Sequence, residues 1–242
     1  MIEVINRIYT QRFLAKSLKR SDLFKAVTYT QYEGDWEKIP FFYKKIQAHT
    51  GTVDLSIPFE EISNRMKSNI HNKIRRAIKE GCIFEYNYDY EAFTEFYNDF
   101  SKAKGLDDII NVHTLKKYNK TIITIAKDIN GTPLVMHATV LSPDKEAMLL
   151  YSCSKRLEEG VNRNLIGWAN RFLHYKEFEL FKTWGYKKYE WNGIGTNPEE
   201  IETYNIGLFK LEFGTELKDS LGLRTPLFVL LKNIQKIIRK WR

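Results

Sequence analysis

The segment from residue 121 to residue 154 constrains the fold most, because it holds three β-rich runs joined by two short turn sequences. TIITIAKD and PLVMHATVLS flank the turn at Asn130–Gly131, and PDK separates the second run from EAMLLYSCS. An Asn-Gly pair between β-branched and apolar residues is a strong signal for a hairpin. The pattern predicts a three-stranded antiparallel meander in the middle of the chain.

Helical and β-rich segments alternate around this meander. One helix is predicted from about residue 58 to 80 and ends at Gly81. A second, EAFTEFYNDFSKAKG, ends at Gly105, and a third runs from about residue 162 to 184 before Gly185. A hairpin is predicted around Gly34–Asp35, joining KAVTYTQYE to IPFFYKKI. The remaining predicted elements are the strands TVDLS, CIFEYNY, YKKYEWNG and TELKD and a short helix at IGLFKLEF.

This order of elements, without internal repeats or a linker, predicts an α+β fold with a mixed sheet. One domain is expected over residues 1–224, followed by a basic amphipathic helix over residues 225–242.

Composition limits the partners. The chain has 242 residues, a net charge of +8 and an aromatic content of 14%, which excludes a disordered chain. The charge suits an anionic partner, whether nucleic acid, a phosphorylated small molecule or an acidic membrane, with a merely basic surface as the alternative. Two cysteines give no disulfide framework, and no apolar run approaches the roughly 20 residues of a membrane span. A cytoplasmic location is therefore expected.

The stretch KSNIHNKIRRAIKEG carries cationic side chains on one helix face. His71, Arg75 and Lys79 recur at i, i+4 spacing, with Arg76 beside them. The opposite face is apolar and belongs to a core. The cationic face has two readings, a solvated surface favoured by the helix dipole or a patch that faces phosphates. The apolar stripe comprises Phe59, Ile62, Met66, Ile70, Ile74 and Ala77.

Three segments, in order over roughly residues 52–220, resemble the Fem-type aminoacyltransferases that build peptidoglycan bridges. The first is the Asp-Leu-Ser strand with the following helix, where Asn72, Ile74, Arg75, Ala77 and Gly81 match the family pattern. The second is NLIGWANRFLHYKEFELFKTWGYKKYEWNGIG, and the third is IGLFKLEFG. The resemblance implies a GNAT-type acyltransferase fold with a mixed, mostly antiparallel, splayed sheet flanked by helices.

The resemblance also implies where the acyl donor binds. In this fold the sheet opens beside the strand that precedes the long helix, and the helix N-terminus faces the donor's phosphates. EAMLLYSCS is then that strand, and acyl-CoA (acetyl-CoA) is the expected donor, with aminoacyl-tRNA as the alternative. Candidate donor-binding or phosphate-binding residues are Arg156, Gly160, Arg163, Asn164 and Lys210.

Transfer to an amine requires a group that accepts the amine's proton and an acid for the leaving group. Glu190 is the first candidate base or substrate-orienting carboxylate, because it lies on an apolar strand just before a glycine loop. Tyr151 is a candidate acid, and His137 is a candidate that faces the cleft. For all three, ordinary packing in a strand is the competing interpretation.

The acceptor is expected to be an amine-bearing anionic substrate, such as an amino sugar or another cell-envelope precursor. Candidate acceptor-binding residues are Arg75, Arg76, Asn192 and Gly193. The spacing of histidines and cysteines indicates no metal site, and no Gly-x-Ser-x-Gly, Walker or dinucleotide motif is present. Direct attack within a ternary complex is therefore expected.

The tail TPLFVLLKNIQKIIRKWR divides into an apolar and a basic side. This pattern suits a helix that lies in a membrane interface at the inner leaflet, and packing onto the domain or onto a second copy is the alternative. The apolar side comprises Leu227, Leu230, Leu231, Ile234, Ile237, Ile238 and Trp241, and the basic side comprises Lys232, Lys236, Arg239 and Lys240.

The sequence thus predicts an N-acyltransferase that moves an acyl or aminoacyl group from an activated carrier to an amino group. Two alternatives stay open. One is an aminoacyl-tRNA-dependent aminoacyltransferase of the peptidoglycan-bridge type. The other is a non-catalytic GNAT-like module that binds nucleic acid or membranes.

Overall fold

The computed structural model describes residues 1–118 and 120–240. In this part of the chain ten strands form one sheet in the order β1-β2-β3-β10-β4-β9-β8-β7-β6-β5. The strands are β1 (Ile2–Ile5), β2 (Thr10–Phe13), β3 (Val27–Tyr32), β4 (Lys44–Asp54), β5 (Ile83–Asn87), β6 (Thr121–Lys127), β7 (Pro133–Leu141), β8 (Glu146–Ser154), β9 (Lys188–Gly193) and β10 (Glu216–Arg224).

Helices cover both faces of this sheet. They are α1 (Phe59–Asn64), α2 (Ser68–Lys79), α3 (Tyr90–Lys104), α4 (Val112–Lys116), α5 (Arg163–Thr183), α6 (Ile201–Leu211) and α7 (Pro226–Lys240). None of the helices in the described residues is both long enough and apolar enough to cross a lipid bilayer. Trp241, placed on the apolar side of the tail from the sequence, lies outside the described residues, as do the side chains of Arg239 and Lys240.

The sheet is mixed and mostly antiparallel, as predicted. Parallel pairing occurs between β2 and β3 and between β8 and β9. The meander β6-β7-β8 is antiparallel throughout, which confirms the hairpin signals read from residues 121–154. The α+β prediction is therefore confirmed.

Two apolar cores lie on opposite faces of the sheet. On one face α1, α2 and α5 pack against the strands through residues such as Ile62, Ile70 and Phe178. On the other face α3 and α4 cover β6, β7 and β8, with Phe93 and Leu115 buried there. Because strand residues alternate between faces, neighbouring residues on β9 differ in surroundings: Tyr189 and Trp191 belong to the first core and Glu190 does not.

Two local predictions are wrong. The single helix predicted over residues 58–80 is two helices, because the Lys67 amide donates to the Glu212 carbonyl 2.9 Å away instead of continuing the helical ladder. The predicted hairpin around Gly34–Asp35 is also absent. β10 lies between β3 and β4 and pairs with both. The first three residues of TVDLS are the end of a longer β4, which stops at Asp54.

Candidate active site

The two parallel strands β8 and β9 separate after a short pairing. Glu146, Ala147 and Met148 pair with residues 188–190, and beyond them the strands diverge. Register shifts accompany the divergence, one between β7 and β8 and one between β4 and β9. A bulge bends its strand and increases its twist, so these irregularities help to open the sheet at this point.

The gap leads into a cavity of about 580 Å³, here called the splay cavity. Its walls come from β8, α5, β9 and α6, with α3 at the rim. Side chains of both kinds line it, apolar ones (Leu149, Ile166, Trp191, Ile206 and Phe209) and polar ones (Arg156, Asn170, Arg171, His174 and Lys210). This mixture of an apolar body and a few polar groups is typical of ligand-binding cavities.

The α6 wall is fixed by contact between backbones. A side chain at Gly207 would collide with the carbonyl of Gly195, and one at Gly195 would collide with the backbone of Thr203. Two glycines therefore allow α6 to lie directly against the loop after β9.

Two arginines lie near the N-terminus of α5, and one of them lines the splay cavity. Arg156 lines the cavity and is exposed, and Arg163 is the first residue of the helix. The Asn162 side chain already caps the helix by accepting from the amides of Asn164 and Leu165. Anion binding at this end would therefore depend on the arginines and the helix dipole more than on those amides.

Two hydrogen-bond donors in the splay cavity are buried and have no partner among the described residues. They are Nε1 of Trp191 and Nε of Arg171. A buried donor without a partner is costly, which makes such groups natural contacts for a bound oxygen. Lys210 adds a third donor group, although its Nζ already bonds the carbonyls of Trp191 (2.9 Å) and Gly193 (2.8 Å). Burial lowers the pKa of Lys210 to about 8, and the nearby Glu190 opposes that shift.

The floor of the splay cavity rests on a buried carboxylate, Glu177, in what is here called the Glu177 network. Thr124 and Tyr189 donate hydroxyl hydrogen bonds to Glu177, at 2.5 and 3.0 Å. Nδ1 of His137 and Nδ1 of His174 lie 3.1 and 3.2 Å from Glu177 Oε2. Burial opposes ionisation, but the two histidines outweigh it and hold the pKa of Glu177 well below its usual range.

His137, His174 and Glu177 lie close enough together to be considered as metal ligands. The two imidazole rings, however, stack with centroids 4.2 Å apart and 31° between their planes. Both Nδ1 atoms already face the same oxygen, Glu177 Oε2, at 3.1 and 3.2 Å, so the carboxylate itself occupies the point on which they converge. Burial and the neighbouring His137 lower the pKa of His174 to about 3, so it is neutral. The geometry favours a hydrogen-bond network over a metal centre.

Glu190 lies on the other face of β9, in what is here called the Glu190 cluster. Its neighbours Tyr189 and Trp191 pack under α5, so alternation turns Glu190 away from the splay cavity. The Thr50 hydroxyl and the Asn192 amide donate to Glu190 Oε1, the latter at 3.1 Å. Oε2 is buried and has no partner among the described residues. Burial raises the pKa of Glu190 to about 7, against the lowering effect of the Thr50 hydrogen bond.

Two residues of the Glu190 cluster have an unusual backbone. Gln31 and Asn192 have φ values of 55° and 65°, in the left-handed region that side chains other than glycine rarely adopt. Each lies in a stretch of strand with shifted register. Nε2 of Gln31 then reaches Glu190 at 3.3 Å and Oδ1 of Asn192 at 3.1 Å. Strain of this kind persists where the surrounding structure enforces it, commonly at functional sites.

Comparison with known proteins agrees with this geometry. FemX superposes with a TM-score of 0.68 at 12% identity, over 96% of this chain and 85% of that chain. The L-PGS structure from Bacillus licheniformis superposes with a TM-score of 0.60 at 13% identity, over 93% of this chain and 80% of that chain. A C-terminal domain of a lysylphosphatidylglycerol synthetase from Agrobacterium fabrum superposes with a TM-score of 0.59 at 11% identity, over 95% of this chain and 83% of that chain. The chain has the Fem-type acyltransferase fold. No family model and no curated sequence matches the chain.

Within the Fem-type fold, some residues predicted from the sequence lie together and others do not. Arg156 and Lys210 line the splay cavity, and His137 lies beneath its floor, where Nε2 is 3.1 Å from Oδ1 of the cavity residue Asn170. Gly160, with φ of 72°, and Asn164 are exposed near the N-terminus of α5.

Other predicted residues face elsewhere. Tyr151 turns toward α3, where its ring lies 4.9 Å from that of Tyr97 with 60° between the planes, and burial raises the pKa of Tyr151 to about 12. Arg75 and Arg76 are exposed on α2, with Arg76 over the ring of Trp168, and neither lines the splay cavity. Gly193 is exposed at the end of β9, next to Asn192.

Sequence reasoning missed His174, Glu177, Gln31 and Thr50. The His174-x-x-Glu177 spacing on a long apolar helix was a usable signal, because polar residues at i, i+3 share one face. Gln31 and Thr50 carried no such signal, since their strands meet Glu190 only through pairing distant in sequence.

Proposed function

We propose that this protein transfers an acyl or aminoacyl group from an activated carrier to an amine. The observation that carries the proposal is the splay cavity, a ligand-sized space in a Fem-type fold with donors inside it that have no partner among the described residues and with Arg156 at one end. Acyl-CoA is the first candidate donor, with its phosphates near Arg156 and Arg163 and its acyl group toward Trp191.

The residues of this chain suit direct attack by the amine. The Trp191 indole N–H is placed to donate to an oxygen that becomes negative in the transition state. Glu190 faces away from the splay cavity, so with a pKa near neutrality it would accept the amine's proton from the other face of β9, where the Thr50 hydroxyl contacts it. Cys153 also lines the splay cavity, but burial raises the pKa of its thiol and disfavours the nucleophilic thiolate. An acyl-enzyme intermediate at Cys153 is therefore not part of the proposal.

An aminoacyl group is the second candidate. The name lysylphosphatidylglycerol synthetase, carried by one structure of the same fold, describes attachment of an amino acid to a lipid. The net charge of +8 suits either donor, since coenzyme A and tRNA are both polyanions. Salt dependence separates them, because a tRNA contact releases many counterions and a thioester contact releases few.

A thermal-shift panel of acetyl-CoA, longer acyl-CoAs, free coenzyme A and bulk tRNA tests the proposal. We expect selective stabilisation by a thioester, weakened in Arg156→Ala and in Trp191→Phe, which keeps the ring and loses the N–H. Arg76→Ala and Trp168→Phe are matched controls outside the splay cavity. A response to tRNA alone would favour aminoacyl transfer or RNA binding, and no response to any donor would contradict acyl transfer from these carriers.

The acceptor is proposed to be an amino sugar or another amine-bearing cell-envelope precursor. Replacing Glu190 with Gln distinguishes an enzyme from a binding module. We expect turnover to fall by about 10²- to 10⁴-fold while donor binding is retained. Unchanged turnover would remove Glu190 from the mechanism.

We propose in addition that α7 contacts the inner face of a membrane. Phe228 is buried against Tyr9 and anchors the first turn, whereas Ile234 and Ile237 are 42% and 58% exposed. No acidic residue follows Asp219, so the exposed apolar face is flanked by basic residues alone. We expect sedimentation with phosphatidylglycerol vesicles but not with phosphatidylcholine vesicles. The Ile234→Asp/Ile237→Asp variant should abolish it, and Phe41→Asp, at a residue 96% exposed elsewhere, should not.

A further inference from the structure

A second cavity, of about 400 Å³, lies on the face of the sheet opposite α5. Here called the opposite-face cavity, it shares no lining residue with the splay cavity. Lys188 and Glu146 line it from paired positions on β9 and β8, and Thr50 lines it from β4. Glu190 lies directly behind Thr50 and Gln31, which line the cavity and contact its carboxylate.

Three buried polar atoms at this place lack a partner among the described residues, and all three are acceptors. They are Oε1 of Gln31, Oε2 of Glu146 and Oε2 of Glu190. Gln31 and Glu146 are each only 6% exposed, and Glu190 is fully buried. A buried acceptor that loses water without gaining a donor is unfavourable, so a ligand that fills this cavity is expected to bring the donors.

The ion pairs around the opposite-face cavity leave these acceptors free. Lys188 pairs with Glu33 and, at 3.0 Å, with Oε1 of Glu146, and Lys16 lies 3.9 Å from the same oxygen. The second oxygen of Glu146 is not used by either lysine. Lys218 and Asp219 also line the cavity, so three lysines face three carboxylates, and the preference for a cation over an anion rests on the unpartnered acceptor oxygens.

Aromatic side chains complete the lining. Tyr32 and Trp36 border the cavity, and Trp36 is 37% exposed at its mouth. An aromatic face beside carboxylates favours a cation by electrostatic attraction and offers a surface for an apolar ring face. The strained backbone at Gln31 is what turns its amide toward Glu190 at the base of this arrangement.

We propose that the opposite-face cavity binds a primary ammonium carried next to hydroxyl groups, as in an amino sugar, through Gln31 and Glu146. The proposal rests on the proposed function only in naming this amine as the acceptor of the acyl group. Binding itself requires no donor, so it is tested separately from transfer.

Isothermal titration calorimetry on the full chain without any acyl donor provides the test. The probes are glucosamine, N-acetylglucosamine, which blocks the amine, and glucose, which lacks it. We expect glucosamine to bind at least ten-fold more tightly than the other two. In Glu146→Gln and in Gln31→Leu we expect at least a ten-fold loss of glucosamine affinity, while Glu95→Gln, an exposed carboxylate on α3, retains it.

Each contrary result overturns the proposal. Equal affinity for glucosamine and glucose would remove the ammonium from the recognition, and unchanged affinity in both variants would place the ligand elsewhere. Circular dichroism of each variant separates a loss of binding from a loss of folding. If the two variants unfold, the same comparison is made with Trp36→Ala, at the partly exposed mouth of the cavity. If glucosamine, ethanolamine and lysine all fail to bind the wild-type chain, the cavity is not an ammonium site, whatever the outcome of the donor panel.

Discussion

Two buried carboxylates on opposite sides of β9, Glu177 of α5 and Glu190 of β9 itself, are in opposite states. On the α5 face the hydroxyls of Thr124 and Tyr189 donate to Glu177, Nδ1 of both histidines lies within 3.2 Å of it, and its pKa is lowered. On the other face one oxygen of Glu190 has no partner within the described part of the chain, and burial raises its pKa to about 7. A fully satisfied buried charge is a structural element, whereas a partly satisfied one is available for a ligand or a proton.

The unpartnered atoms of the two cavities differ in the same way. Those of the splay cavity are donors, on Trp191 and Arg171, and those around the opposite-face cavity are acceptors. Donors suit carbonyl and phosphate oxygens, and acceptors suit an ammonium. The two cavities thus match the two partners of an acyl transfer to an amine.

The largest expected effect is a loss of unfolding free energy on substitution of Glu177. Glu177→Gln removes the charge that the two histidines face, and breaking a buried charge network costs about 3–5 kcal/mol of unfolding free energy. Urea denaturation measures it. Glu179→Gln, two residues along α5 and paired with Lys176 near the surface, is the matched control. Equal stability of the two variants would show that the Glu177 network is not structural.

The next effect is a pH dependence from Glu190. Its pKa rises from an ordinary value of 4.5 to about 7 on folding, so the folded state binds the proton more tightly than the unfolded chain. The associated stability, on the order of 3 kcal/mol, is fully present below pH 4.5 and is lost as pH rises through 7. Glu190→Gln should flatten the stability curve between these values. A curve that keeps its wild-type slope would assign that dependence to other groups.

A smaller effect is expected at Lys210. Lys210→Met keeps the length of the side chain but leaves the carbonyls of Trp191 and Gly193 without their donor. We expect a loss of about 1–3 kcal/mol in unfolding free energy, together with a reduced thermal shift by the donor. If Lys210→Met lowers the unfolding free energy but leaves the thermal shift by the donor unchanged, Lys210 stabilises the end of β9 and does not bind the donor.

The smallest effect is expected at the cationic face of α2. Arg75→Ala/Arg76→Ala changes two exposed side chains outside both cavities, so stability should stay within about 0.5 kcal/mol and the acceptor response should not change. Weaker acceptor binding in this variant would show that the acceptor also contacts α2, in agreement with the sequence-based prediction that Arg75 and Arg76 bind the acceptor.

The sequence predicted well what local chemistry decides. Tight turns fixed the meander, and glycines ended α2, α3 and α5 where expected, at Gly81, Gly105 and Gly185 in the left-handed conformation. The place where the sheet splays followed from the resemblance and lies beside β8 as expected.

What depends on pairing distant in sequence was not predictable in this way. β10 enters between β3 and β4 from more than 160 residues away, and nothing local to either strand indicates it. The Glu190 cluster has the same origin, because Gln31, Thr50 and Glu190 come from three strands that meet only in the folded sheet. The sequence named Glu190 as a candidate base, but it did not indicate that this side chain lies on the face of β9 away from α5.

The backbone contact between α6 and the loop after β9 limits how this protein can diversify. Because Gly195 and Gly207 leave no space for side chains, mutation cannot readily move the α6 wall without separating the two segments. New specificity for the acyl group is then open mainly through exchange of cavity-facing side chains on α6, such as Asn205, Ile206 and Phe209. If the proposed acyl transfer holds, relatives with other acyl specificities should keep this pair of glycines and differ at those three positions.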